Sequence, residues 1–521
     1  MIRADTLWAL VEGRAAATPD GLMVVDDAGR RLAFGAYRDR AERAAAGLQR
    51  LGVEPGTVVS WQLPNRIETF VLVAALARLS AVQNPIAPLF REREVGFITG
   101  QLGSDLLLVP SVWRDFDHGA MARSIAAGQP GLRVEVLDGD LPEGDPADLP
   151  PAPVSVSSVS PAGPDAVRSV LYTSGTTSDP KGARHTDGGF IHVAEHMARR
   201  MHMDESDRNA IVFPFAHIGG ILYVFMDLMV GSASILLERF GPDAVATLSR
   251  EDVTIAGAGL PFFQQYLRSQ RATDRPIFPH IKAFVGGGAT RPPELHGELV
   301  EAFGVGVLAG YGLTEAGSFT MSDLDDPDDV RATTEGRPYP RSEIRILAPD
   351  GTVLSAGEEG EVCLRGPQLM LGYVDPALDT AFDADGFFHT GDLGRLDAEG
   401  YLHISGRLKD IVIRNGENIS AREVEDLVYL HPSVDEVAVV GVPDPQTGER
   451  CCAAVTLVTG ATGLDVVELR TFLTAKGLSL YKVPEQVEVV DELPKNVGNK
   501  VLKAELRERF AVQPFSRTPG S

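Results

Sequence analysis

Cysteine is nearly absent from this chain: Cys363, Cys451 and Cys452 are the only three in 521 residues, and two of them adjoin. That count argues against a disulfide framework and fits a reducing, cytoplasmic setting. Net positive charge is missing too. Lys and Arg total 48 against 72 Asp and Glu, leaving a formal charge of -24 at pH 7. Such a field repels phosphate and argues against non-specific binding to nucleic acid or anionic membranes. Any phosphorylated ligand must therefore be gripped by local basic groups. No apolar run is long enough to span a bilayer; the best, TFVLVAALARLSAV at 69–82, is short and contains Arg78. The start, MIRADTLWALVEGRAAATPDG, lacks the apolar core and cleavage site of a signal peptide and reads as a mature, amphipathic beginning. No internal repeat is present, and no G-x-S-x-G elbow supports a hydrolase of that kind.

What is present is a chain 44% hydrophobic. Its length predicts two or more domains, because single cores stop growing at about 250–300 residues. Strand and helix patterns alternate, which predicts α/β layers. GLMVVDDAGRRLAF reads as a hairpin turning at Asp-Ala-Gly, and the next segment spaces Tyr37, Ala41, Ala44, Leu48 and Leu51 as one helical face. TVVSWQLP reads as a buried strand, followed by an apolar helix capped by Asn65. Residues 141–165, rich in Pro, Ser and acid, read as a surface linker. Beyond 410 the pattern becomes a small α+β unit, with helices near EVEDLVYL and VVELRTFLTAKG and strands near VDEVAVVGV, CCAAVTLV and QVEVV. The final ten residues read as a disordered tail.

Three stretches bear on chemistry. LYTSGTTSDPKGARHT (171–186) runs from an apolar lead into a loop of hydroxyls, glycines and Lys181. Its backbone N–H groups and hydroxyls can converge on an anion, although a solvated turn has the same composition. It is not a Walker A loop, because Gly182 follows Lys181 where Ser or Thr is required. GGGATR (286–291) has Arg291 where a dinucleotide fingerprint needs its last glycine. HVAEH (192–196) matches an inverted zinc-protease pattern, with His192 and His196 one helical turn apart and Glu195 as base; a packed helix is the alternative.

TSGTTSDPKG closely resembles the phosphate loop of the adenylate-forming superfamily of acyl-CoA synthetases, aryl-CoA ligases, luciferases and nonribosomal adenylation domains. FPFAHIGG, GYGLTEAG, HTGDLG with GRLKDIVIRNGENISAREVE, and LPKNVGNKVLK follow in the order that family uses. The resemblance covers nearly the whole chain. It implies a large, multi-subdomain N-terminal α/β domain over 1–406 and a small, mobile α+β C-terminal domain over 407–511, with the tail at 512–521. Thr173, Ser174, Gly175, Thr176, Thr177 and Lys181 would then hold the β and γ phosphates of ATP. Thr314 would touch the α phosphate, and Glu315 would hold Mg2+. Tyr311 would stack on adenine, with the backbone of Gly286, Gly287, Gly288 and Ala289 at its edge and Gly310 and Gly312 beside it. Asp392 would accept from the ribose hydroxyls, and Arg407 would donate to the ribose. Lys500 would bridge carboxylate and phosphate during adenylation. Lys409 would be the hinge for a second half-reaction, and Gly416, Glu417 and Asn418 would approach coenzyme A.

Two departures stand out. Asn499 precedes Lys500 where relatives carry glycine, and Ala421 stands where they often carry proline. The acyl pocket would be lined by His217 as a gate, by Leu260 to Phe263, and by Gly286, Gly312 and Ser318, giving an apolar slot. A hydrogen-bonded core histidine is the other reading of His217. No acid lies between Ile211 and Phe225, which disfavours a free α-amino acid as substrate. The expectation is a cytoplasmic, Mg2+-dependent ligase joining a short- or medium-chain, alicyclic or aromatic carboxylic acid to CoA through an acyl-AMP. An amide synthetase, a carrier-protein ligase, a non-catalytic nucleotide or acyl-AMP sensor, and a homodimeric assembly stay open.

Overall fold

The computed structural model describes residues 1–152, 166–173, 179–287, 293–415, 417–496 and 500–511. Two mostly parallel sheets form the body of the N-terminal part. In the first, strands Val307–Gly310, Ala283–Gly287, Ile255–Ala258, Arg208–Ile211, Ala233–Leu236 and Leu22–Asp26 run parallel, and Arg31–Ala33 closes the edge as an antiparallel hairpin. Gly29 makes that turn at φ 79°. In the second, Val167–Tyr172, Val82–Pro85, Val58–Trp61, Leu106–Pro110 and Arg133–Leu137 run parallel, with Gly182–Thr186 antiparallel on the outside. Strands covered on both faces need apolar side chains throughout, which is why LLLVP is buried at all five positions.

The helices between these sheets follow the same rule. Ile67–Arg78 and Ile218–Val230 are apolar almost all round because they lie inside the shared core with Phe70, Phe215 and Phe225. Phe34–Arg50 buries Tyr37, Ala41, Ala44 and Leu48 along one side, with Leu51 at its cap. One expectation is corrected here. Asn65 does not cap the apolar helix, whose N-cap is Arg66. Its amide donates to the Phe213 and Leu237 carbonyls and its oxygen accepts from Phe215 N–H, so it pins two distant loops. Among the described residues, no helix is long and apolar enough to cross a membrane.

A four-stranded antiparallel sheet follows, built from Glu343–Leu347, Gly360–Arg365, Phe388–Leu396 and Leu402–Arg407. After the short 3-10 turn Leu408–Asp410 the chain enters the C-terminal sheet, in the order Glu417–Ser420, Ile411–Arg414, Gly448–Leu457 and Val434–Asp444, with Gln486–Val489 parallel to Gly448–Leu457. Helices Ala421–Tyr429, Val466–Ala475 and Lys503–Ala511 pack on it. The architecture is therefore a large α/β N-terminal part and a small α+β C-terminal part. Of the linker, residues 141–152 run along the surface through a 3-10 turn at Pro146–Asp148; residues 153–165 and the tail lie outside the described residues.

Candidate active site

Strands Val167–Tyr172 and Gly182–Thr186 form the stem of the hydroxyl-rich loop, and its base is closed twice. Thr173 N–H donates to the Lys181 carbonyl at 2.9 Å, and Lys181 N–H donates to Thr173 Oγ1 at 3.3 Å. Ser174, Gly175, Thr176 and Thr177 lie outside the described residues. The Lys181 ammonium sits over the Tyr373 ring, 5.8 Å from its centroid, and Tyr373 donates its hydroxyl to Glu315 Oε1 at 2.7 Å. Lys181 and Glu315 thus meet through one tyrosine. Glu315 Oε2 has no protein donor among the described residues, so a carboxylate oxygen is left for a hard cation such as Mg2+.

Thr314 and Glu315 ride on the turn of a two-stranded hairpin, Gly312–Leu313 with Gly317–Ser318. A side chain on Gly312 would begin 2.0 Å from the Gly317 carbonyl, so the hairpin closes only with glycine there. His185 fixes the turn from below: its Nε2–H donates to the Thr314 carbonyl at 2.8 Å while the ring stacks on Phe190. Burial pushes the His185 pKa down to about 4, so it stays a neutral donor.

Tyr311, Asp392, Arg407 and Lys500 come together from four separate segments. Asp392 and Arg407 are directly opposed on neighbouring strands beside a register shift, a place where a bulge re-aims side chains. Tyr311 donates to Asp392 Oδ2 at 2.6 Å, and Arg407 Nε pairs with Oδ1 at 2.6 Å. Asp392 is buried, and each oxygen keeps a second lone pair for a ligand hydroxyl. Lys500 is partly enclosed beside this pair. Burial first, then Arg407 and Lys409, pull its pKa down to about 8, while Asp392 and Asp410 oppose them. Its loop is tied at the base, where Asn496 N–H donates to the Lys500 carbonyl and Lys500 N–H donates to Asn496 Oδ1. Asn499 lies outside the described residues.

Other contacts join the C-terminal sheet to the body. Ser420 donates to the Ser405 carbonyl, Gln264 donates to the Tyr429 hydroxyl, and Arg422 faces Glu335 at 3.6 Å. Lys409 occupies the 3-10 turn between the sheets, and its carbonyl accepts from Arg507, which also pairs with Asp410. Gly416 lies outside the described residues; Glu417 and Asn418 start a strand in register with Arg414 and Ile413.

The expected acyl wall is partly enclosed. Gly286 and Gly287 end strand Ala283–Gly287, while Gly288 and Ala289 lie outside the described residues. Gly287 and Gly310 are register partners, so two side-chain-free backbones lie together. Phe263 is buried among Tyr266 and Phe284, with its ring 3.4 Å from where a Gly286 side chain would begin, so it backs the wall from the core. His217 caps helix Ile218–Val230, its Nδ1 accepting from Gly219 N–H at 3.2 Å, and its ring meets Phe213 edge-on. Solvent reaches it, while the surrounding protein lowers its pKa. Ser318 Oγ donates to the Thr320 carbonyl and is bonded to the Tyr339 hydroxyl.

The HVAEH stretch is indeed helical, within Asp187–Arg200, but its residues contact groups other than a metal, and His192 Nε2 is buried without a partner among the described residues. Glu195 pairs with Arg199 and Arg3, His192 Nδ1 faces Arg341, and His196 stacks on Tyr339. Among the described residues, no third metal-ligating side chain joins the two histidines.

Comparison with known proteins agrees with this geometry. Residues 11–374 match the AMP-binding enzyme family, and residues 423–500 match the AMP-binding enzyme C-terminal domain. The chain belongs to the AMP-binding enzyme family. It is 31% identical to the medium-chain fatty-acid–CoA ligase of Escherichia coli (strain K12) over 95% of this chain and 88% of that protein. It is also 31% identical to a salicyl-AMP ligase / salicyl-S-ArCP synthetase of Mycobacterium tuberculosis, over 97% of this chain and 91% of that protein. Among solved structures, ATP-bound MatB from Rhodopseudomonas palustris superposes with a TM-score of 0.87 at 29% identity, covering 98% of this chain and 99% of that one. Sequence reasoning missed three supports of the expected site residues: Tyr373 between Lys181 and Glu315, His185 under Thr314, and Tyr339 against Ser318. Tyr373 follows Leu371-Gly372 in an apolar stretch, and no local pattern separates such a residue from core.

Proposed function

We propose that this chain is an AMP-forming carboxylic acid:CoA ligase. A carboxylate oxygen attacks the α phosphorus of ATP, the bond to the β-phosphate bridge breaks, and pyrophosphate leaves an acyl-AMP. The CoA sulfur then attacks the acyl carbon, AMP leaves with the bonding pair, and the thiol proton passes to solvent. What supports the reading most is the meeting of Lys500, from the C-terminal part, with the Asp392–Arg407 pair of the body.

In this reading the residues divide the work. Thr173 and Lys181, with the intervening Ser174, Gly175, Thr176 and Thr177, bind the β and γ phosphates, and Thr314 binds the α phosphate. Glu315, held by Tyr373, would hold Mg2+, which would supply positive charge against the phosphate oxygens. Tyr311 borders adenine with the 286–289 backbone, and Asp392 and Arg407 fix the ribose. The Lys500 ammonium meets charge that gathers in the transition state. The domain boundary falls at 406/407, with 407–511 as a lid turning about Lys409 and bringing Gly416, Glu417 and Asn418 to CoA. His217, Gly286, Gly312 and Ser318 border an uncharged acyl slot suited to a short- or medium-chain, alicyclic or aromatic acid, and the setting is cytoplasmic. A second reading is favoured by the salicyl-S-ArCP synthetase relative: the same adenylate passed to a carrier-protein thiol.

Acid-dependent ATP–pyrophosphate exchange over a panel of acids, followed by CoA and mass spectrometry of the product, tests both. Exchange and an acyl-CoA are expected. Exchange without acyl-CoA moves the reading to another acceptor, and no exchange with any acid leaves a nucleotide sensor.

A further inference from the structure

The antiparallel sheet that presents Asp392 also carries a side-chain cluster with no part in adenylation. Cys363 on one strand is the register partner of His389 on the next. Side chains alternate along a strand, so Glu361 and Cys363, two residues apart, start from the same face. The outcome is a compact group. His389 Nδ1 lies 2.9 Å from Glu361 Oε2 and 3.5 Å from Cys363 Sγ, and all three ligand atoms fall within 4.8 Å of one another.

Two contacts therefore converge on one ring nitrogen, which has at most one proton to give. If Nδ1–H donates to Glu361, it cannot also accept from the thiol, whose only other acceptor among the described residues is the Glu361 carbonyl at 4.0 Å. A cation at the point of convergence would use a lone pair from all three. We propose that Glu361, Cys363 and His389 form a zinc site, with water completing the coordination.

The donor set of carboxylate oxygen, thiolate and imidazole suits zinc and disfavours Mg2+ or Ca2+, which take oxygen ligands. Binding releases the thiol proton to solvent, while His389 keeps a single proton by moving it from Nδ1 to Nε2. Glu361 and His389 are part-exposed and give an entry path to the buried sulfur. The Glu361 carboxylate beside the thiol already places negative charge where a cation would sit. The opposing charge is Arg345, the cross-strand neighbour of Cys363 on the far strand; it is paired with Asp385 at 2.8 Å and lies over the Phe387 ring. The other three-membered group among the described residues, His202, Asp323 and Asp325, has no sulfur and no buried member. Glu361 Oε1 also accepts from Gly391 N–H at 3.1 Å, so the site would staple both sides of the bulge that leads into Asp392.

The test is titration of the full-length, metal-free chain with Co2+, followed by Zn2+. The expected result is one Co2+ per chain with a sulfur-to-cobalt charge-transfer band, displaced by Zn2+, and a higher melting temperature with Zn2+. Cys363→Ser should lose the band. His389→Gln and Glu361→Gln should weaken binding by at least the ~10–100-fold that loss of an outer-shell partner costs. A band that persists in Cys363→Ser would assign the sulfur to Cys451 or Cys452 and overturn the proposal. So would the lack of any band in the wild type, or wild-type affinity in His389→Gln. Should Cys363→Ser fail to fold, the two strand-surface variants decide. None of these readouts requires ligase activity, so the outcome is separate from that of the acid screen.

Discussion

The two ends of the proposed site are built on different physics. At the ribose end Asp392, Arg407, Lys409, Asp410 and Lys500 crowd together, five ionisable groups drawn from both parts of the chain. At the proposed acyl end Phe213 meets His217 through ring edges and Ser318 meets Tyr339 through hydroxyls, near the bare backbone of Gly286, with no ion pair among these residues. One end works by charge in a partly dry place, where each group is worth much. The other works by shape, where each group is worth little. That contrast predicts an order of effects.

The largest belongs to Lys500→Ala. Loss of one pre-aimed donor to developing charge costs on the order of 10²–10³ in rate. Pyrophosphate exchange should fall by that factor, while thioester formation from supplied acyl-AMP changes little. Equal losses in both half-reactions would break the contrast. Next comes Asp392→Asn, which weakens hydrogen bonds to a charged group, worth about 1.5–3 kcal/mol, and deprives Arg407 of its partner. KM for ATP should rise by roughly 10–100-fold with KM for the acid nearly unchanged.

Charge crowding also gives the ribose end a pH signature that the acyl end lacks. Adenylation in this reading needs the Lys500 ammonium, whose pKa is drawn down to about 8. Exchange activity should therefore fall as pH rises through about 8, well below the ordinary lysine range. Lys409→Gln removes a repelling cation and should move that limb to higher pH; Asp392→Asn removes an attracting anion and should move it lower. A limb that stays in place in both variants would mean that another group sets it.

The charged end was the more legible of the two in the sequence. Asp392, Arg407 and Lys500 fall within motifs whose order along the chain singled them out as candidates, although their meeting is a property of the fold. Tyr373 and His185 escaped because each acts through a residue distant in sequence: Glu315 for one, the Thr314 carbonyl for the other. Asn65 shows the same limit from the other side. It stands where a cap belongs, ahead of an apolar helix, yet loops around 213–215 and 237 outbid the local role with three hydrogen bonds. HVAEH has the spacing of a metal site and, among the described residues, no partner to complete one, whereas Glu361, Cys363 and His389 have no spacing to notice and are joined by strand register.

The smallest effect, and the one that sharpens the comparison most, concerns His217. It has two jobs that a single substitution confuses: it caps helix Ile218–Val230 through Nδ1, and its ring meets Phe213 at the acyl end. His217→Ala removes both, so it should lower stability by about 0.5–2 kcal/mol, the usual cost of a lost N-cap. His217→Asn returns an acceptor to the cap and should leave the melting temperature close to that of the wild type. If the imidazole shapes the slot, both variants lower kcat/KM for the acid by a similar factor, about tenfold, the low end of what one lost apolar contact in a pocket costs. If activity instead follows stability, falling in the alanine variant and recovering in the asparagine variant, His217 is a cap alone, and the acyl end is shaped by backbone and Phe213 without it.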